Sequence, residues 1–189
     1  TAIYGPASDR TVAAAFTASD PGKVTLTYFG ALDDRGEILA RHDKGIRGGA
    51  LTVFRNNTKN DETGGLVLNG YDIDRYTRSG FDDLTFRSTT WLGFQGNTSR
   101  DIGRALTLDA PTILAEETGG QSVSLHAPVI TLTNTWYPSP AGLAASTVET
   151  GSAIELSADW INVEGSVKIR NFENASLSSA HDIRLSDAY

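Results

Sequence analysis

The sequence predicts an all-β protein, a parallel β-helix (solenoid) of about seven coils with variable loops. Three observations carry that expectation. An eight-residue pattern occurs twice at close range, as LTLDAPTI (Leu106 to Ile113) and VSLHAPVI (Val123 to Ile130), and the copies start 17 residues apart. Looser copies bring the starts to 51, 66, 84, 106, 123, 154 and about 175, at intervals of 15, 18, 22, 17, 31 and 21. Within each copy apolar residues alternate, the period of a strand with one buried face. Units of this length that cannot bury their own apolar face signal a stacked repeat.

Residues 1–23 are weakly patterned and are expected to form an N-terminal extension or cap. AAAFTA (Ala13 to Ala18) suits a short helical turn that Pro21-Gly22 stops. Residues 24–189 are expected to form the β-helix. KVTLTYFG (Lys23 to Gly30) alternates and reads as a strand. Asp33 to Gly36 reads as a turn, and the glycine-punctuated Gly36 to Gly49 wraps an edge or starts the repeat.

The units then follow: ALTVF from Ala50, LVLNGYDI from Leu66, LTFRSTTW from Leu84, the two quoted copies, IELSADWI from Ile154, and ASLSSAHDI from Ala175 with one extra residue. In each, positions one and three point inward. The fifth is small because the backbone bends there, and Pro111 and Pro128 follow it, where a strand cannot easily continue. The apolar residue three positions later restarts an inward strand, as ITLTN from Ile130, INVEG from Ile161 and IRLSD from Ile183. Parallel stacking at ~4.8 Å would align these side chains in columns. Trp91 is expected in the core, while Trp160 faces out or covers a loop.

The 31-residue interval predicts a long outer loop at 131–153, and such loops inside compact repeats are usually functional or disordered. It holds Trp136 and Tyr137, the best candidates for an exposed ligand-binding pair. Residues 56–64 form a second, polar excursion.

The 189 residues suit one domain or one segment of a longer array. The chain opens at Thr1 and contains no Met, which reads as an excised or processed piece. No apolar run approaches the ~20 residues of a membrane span. The absence of Cys excludes disulfides, thiolate metal sites and cysteine nucleophiles. It suits either a cytosolic protein or an exoprotein that crosses an envelope unfolded. The net charge of −7 resides in one half: residues 1–104 carry 13 acidic and 13 basic side chains, residues 105–189 carry 10 and 3. With no basic, aromatic-interleaved patch, nucleic acid is not an expected partner.

Chemistry-bearing residues are few. His42, His126 and His181 lack metal-ligand spacing, and no metal or other cofactor is expected. His126 takes the outward position that Asp109 takes one unit earlier, so the two are expected to stack as a surface pair. Asp72, Asp74, Asp82 and Asp83 cluster near Arg75, Arg78 and Arg87. Such carboxylates could serve a sugar-cleaving β-helix, form a salt-bridged surface, or cap a turn. There is no G-x-S-x-G elbow and no Walker loop. Three Asn-x-Ser/Thr matches, at Asn56, Asn97 and Asn174, matter only in a eukaryotic secretory route.

SGFDDLTFRS (Ser79 to Ser88), RALTLDAPTI (Arg104 to Ile113) and VSLHAPVITLTN (Val123 to Asn134) together carry a family likeness. The chain resembles the filamentous-haemagglutinin-type exoproteins of bacterial two-partner secretion, and more narrowly a β-helical domain found toward the C-terminal part of some of them. The likeness covers about residues 24–185, and Gly30 to Val53 is similar to the glycine-rich phrase that precedes a repeat there. It implies a secreted, cell-surface fibre used in adhesion or contact-dependent competition. It also implies an outer-membrane partner transporter that recognises a separate secretion domain, and a surface receptor or glycan as ligand. It carries over no catalytic residue, so an enzyme is not expected. The alternative from another class is a polysaccharide lyase or hydrolase on a β-helix; a third is a trimerising phage or fibre module.

Overall fold

The computed structural model describes residues 2–3, 22–28, 38–40, 48–56, 64–116, 120–135 and 149–187. Within them the chain is mostly strand, and every pairing is parallel. The strands are β1 (Ala2–Ile3), β2 (Lys23–Tyr28), β3 (Gly49–Arg55), β4 (Leu66–Asn69), β5 (Phe81–Ser88), β6 (Leu92–Gln95), β7 (Thr98–Asp101), β8 (Ala105–Asp109), β9 (Thr112–Ala115), β10 (Ser122–Thr133), β11 (Glu149–Glu164), β12 (Lys168–Arg170) and β13 (Phe172–Ser186). One helix, α1 (Gly70–Arg78), interrupts them. A nine-stranded sheet runs β1-β2-β3-β5-β8-β10-β11-β13, with β7 beside β10, and a four-stranded sheet runs β12-β9-β6-β4.

The alternation read from the sequence explains the large sheet. Leu51, Leu84, Leu106, Ile130 and Ile161 are register neighbours on successive strands, and so are Val53, Phe86, Leu108 and Leu132. All nine are buried. Val123 and Leu125 align likewise with Ile154 and Leu156. Each fully buried aliphatic contributes about 1.5–3 kcal/mol, so stacked columns are the main source of stability. The intervening positions face outward and carry β-branched hydroxyls, Thr25, Thr52, Thr85, Thr107 and Thr131, in one in-register row. Threonine suits a half-exposed pleated surface.

The small sheet places Leu66, Leu92 and Ile113 in one inward column. Its outer side explains two glycines. The Trp91 indole folds back against Gly65, where a Cβ would sit 2.0 Å from Cδ2, and reaches Gly93, where one would sit 2.7 Å from Cζ3. Trp91 is therefore not a core residue as expected. It is half-buried outside the main cluster, because it shares the outward parity of Gly93 while Leu92 and Phe94 point in.

Several expectations are corrected. LVLNGYDI is not strand, corner, strand: β4 leads into α1. The Asn69 side chain caps that helix by accepting the Asp72 N–H at 3.0 Å. Ile73 and Tyr76, three apart, give it a buried stripe, and Gly80 follows its end at φ 91°.

The two clearest copies do not stack on each other. Leu106 pairs with Ile130, not Val123, and Val123 pairs with Thr98. Ala110-Pro111 turns the chain into the small sheet, whereas Ala127-Pro128 bends it within the large one, at a point where Pro128 and the facing Asp159 have no register partner. IELSADWI does align with VSLHAPVI, and the extra residue of ASLSSAHDI is taken up by a register shift between Ala158 and Trp160.

The loop expected at 131–153 is shorter, since β10 extends to Thr133 and β11 starts at Glu149. The helical turn at 13–18, most of the 56–64 excursion, His42, Trp136 and Tyr137 lie outside the described residues. Finally, β12 pairs directly with β9 although β10 separates β8 from β11. The Lys168 N–H donates to the Pro111 carbonyl at 3.1 Å, and Asn171 Nδ2 donates to the Ala115 carbonyl at 3.2 Å.

Candidate functional site

The four aspartates singled out from the sequence sit on two elements, α1 and β5, and the structure assigns three of them to structural partners. Asp74 pairs with Arg78 one helical turn on, and its other oxygen lies 3.7 Å from Arg100 Nε. Arg100 Nε also donates to the Gly70 carbonyl at 3.1 Å, tying β7 to the start of α1. Asp83 pairs with Arg104, the residue before β8. Asp82 Oδ2 accepts the Gly48 N–H at 2.7 Å, and its carboxylate also packs against Gly103. Asp72 stands in the first turn of α1, where a negative charge complements the helix dipole. Burial pushes the nearby Tyr28 phenol well above its ordinary value; Arg55 opposes that rise, and Tyr76 and Asp72 add to it. Arg75, also at the helix, lies 4.9 Å over the Tyr76 ring and donates to its hydroxyl at 3.1 Å.

A second chain of contacts runs down the outward face of the large sheet. The Arg87 guanidinium lies 5.2 Å over the Phe54 ring on β3 and binds Asp109 on β8 at 2.8 Å. Asp109 in turn accepts the Thr135 N–H at 2.9 Å and its hydroxyl at 2.7 Å. Thr135 is the residue before Trp136, so this chain fixes the point from which the long connection departs. The expected Asp109–His126 pair does not form. His126 Nδ1 is 3.4 Å from Asp101, its register neighbour on β7, and both are exposed.

At the far end Trp160 faces outward beside inward Ile161. His181 stacks on its ring at 4.9 Å and 7°, and the Arg184 guanidinium lies 4.8 Å from its centroid. Both come from β13, the strand paired with β11.

Sequence reasoning missed the Arg87–Asp109–Thr135 chain because it set Val123 under Leu106. Setting ITLTN under LTLDA would have placed Asp109 between Arg87 and Thr133. Among the described residues no group of three His, Asp or Glu side chains could hold a metal ion, and no helix is long and apolar enough to cross a membrane. The arrangement joins neighbouring strands through ion pairs, caps and stacked rings on their outer faces. No known family model, curated protein or solved structure matches this chain.

Proposed function

We propose that this chain is a β-helical segment of a large secreted bacterial adhesin or contact-dependent competition exoprotein, and that it acts as a stalk. One observation carries the reading. From β3 to β12 the chain passes repeatedly between two sheets, leaving the large one for β4, β6, β9 and β12, and successive units pair in parallel along the large sheet. Winding about one axis is the simplest path that gives this order, and aliphatic columns are what such winding needs inside. The engagement of Asp74, Asp82 and Asp83 by Arg78, Arg100, Gly48 and Arg104 favours a scaffolding role for them over acid–base chemistry. The family likeness supplies the rest of the proposal: export through an outer-membrane partner transporter, and a glycan or protein receptor met by the outer surface, with Trp136 and Tyr137 as candidate contacts.

Antibody labelling of intact producing cells tests the reading. Label on the surface of the parent strain, lost when the partner transporter is deleted, is the expected result. Protein retained inside parent cells would overturn it. Binding of the purified chain to target cells, weakened in Trp136→Ala/Tyr137→Ala, would add receptor recognition; without such binding only the stalk role stands.

A further inference from the structure

Strands β7, β10 and β11 lie side by side, and one row across them reads Asp101, His126, Ser157. Each residue is the direct register neighbour of the next. The row faces outward: buried Leu125 and Ala127 flank His126, and buried Leu156 and Ala158 flank Ser157.

The order of the three gives the row its chemistry. His126 turns Nδ1 to Asp101, at 3.4 Å. A carboxylate there favours the tautomer with its proton on Nδ1, which leaves Nε2 as an acceptor. A ring that turns Nδ1 to β7 turns Nε2 away from it, and the neighbour on the other side of His126 is Ser157 of β11. Register neighbours stand ~4.8 Å apart. Side-chain rotation is enough to bring the Ser157 hydroxyl within hydrogen-bond reach of Nε2, a contact that substrate often tightens. Carboxylate, imidazole and hydroxyl in this order are the parts of an activated serine.

We propose that Ser157 is a nucleophile toward acyl groups, with His126 as its general base and Asp101 as the residue that positions His126. Ser157 Oγ bonds to the acyl carbon while its proton passes to His126 Nε2. The bond from that carbon to the leaving oxygen or sulfur breaks, and the proton departs with the leaving group. Water, deprotonated at the same nitrogen, then frees the acid and restores the serine. The face also sets the substrate class. Its strands commit their N–H groups to one another, so the ladder offers no preformed cradle for the oxyanion. Acyl donors with good leaving groups, aryl esters and thioesters, depend least on that help. This inference does not depend on the stalk reading.

Reaction of the 189-residue chain with p-nitrophenyl acetate tests it, with p-nitrophenol release followed by absorbance and each serine assayed by peptide mass spectrometry. Ser157 should be acetylated. Ser99 and Ser178, exposed on the same face but with serines as register neighbours, should not. His126→Gln should slow labelling of Ser157 by about 10²–10⁴-fold, and Ser157→Ala should abolish the serine adduct, both with an unchanged urea midpoint. Asp101 is 91% exposed and its charge is screened, so Asp101→Asn should slow labelling only about two- to fivefold, and Asp101→Glu should recover the parent rate. An unlabelled Ser157, equal labelling of Ser99 or Ser178, or labelling that survives His126→Gln would each overturn the proposal. An Asp101→Asn rate equal to the parent's would overturn the positioning role.

Discussion

Arg87 Nε lies 2.8 Å from Asp109 Oδ2, and the two side chains differ sharply in exposure, 32% for the arginine and 5% for the aspartate. The carboxylate is the buried partner, and it also carries both hydrogen bonds from Thr135. Its removal leaves the Thr135 N–H and hydroxyl without their acceptor and takes the carboxylate from Arg87, which keeps its hydrogen bond to the Thr135 hydroxyl oxygen. Asp109→Ala is expected to cost about 3 kcal/mol, at the low end for breaking a buried pair because Arg87 retains water. Urea unfolding checks this, and Asp109→Asn, which keeps one acceptor oxygen, should lose less.

Gly65 and Gly96 make a matched pair of alanine tests. At Gly65 the new methyl would occupy the space of the Trp91 indole, while at Gly96 nothing lies within 4 Å and the backbone sits at φ 71°. Gly65→Ala should cost about 1–3 kcal/mol by overpacking and shift tryptophan fluorescence. Gly96→Ala should cost about 1 kcal/mol from left-handed strain alone and leave fluorescence unchanged. In a Trp91→Ala background the Gly65 penalty should largely vanish, a coupling that a double-mutant cycle measures directly.

Position along a column should set the cost of truncation. Leu125 is fully buried between Arg100 and Leu156, whereas Leu185 ends its column in solvent. Leu125→Ala should lose about 2–5 kcal/mol and Leu185→Ala less than about 0.5 kcal/mol, both read from thermal or urea midpoints.

Tyr28 gives an alkaline signature. Its phenol loses its proton less readily in the folded chain, so the folded state retains a proton that the unfolded state releases from about pH 10 upward. The contribution is whole below that pH and declines as pH rises from there toward the folded value. Stability should fall faster above pH 10 in the parent chain than in Tyr28→Phe. Ultraviolet titration should show one late-ionising phenol fewer in Tyr28→Phe than in the parent chain.

How much of this was legible in advance varies by element. Alternation revealed the strands and the inward side chains of the repeated units, such as Leu51, Phe86, Leu108 and Ile161, because burial on one face dictates the period, but it did not single out Phe81, Leu92, Phe94 or Ile102. It could not set the register between LTLDAPTI and VSLHAPVI, since the same Ala-Pro pair turns a corner between sheets in one and a bend within a sheet in the other. Helix α1 hid behind Leu66 and Leu68. The Asn69 cap, with Asp72 in the first turn and Ile73 and Tyr76 three apart, was the available signal, but Asn-Gly reads equally well as a corner. Trp91 misled through size alone; only the glycines at 65 and 93 betray that an indole lies outside. Clustering in the sequence also overstated the four aspartates as a single face, because α1 and β5 carry them to separate partners.

The direct pairing of β12 with β9 has a consequence for any filament built from this unit. One wall holds a strand, β10, at a level where the other holds none among the described residues. A strand occupies ~4.8 Å and packed sheets stand ~10 Å apart. A level filled on one side and empty on the other breaks the equal stacking that a straight column needs. A fibre would thus turn an elbow at this level, and its distal end would point off the line of its base.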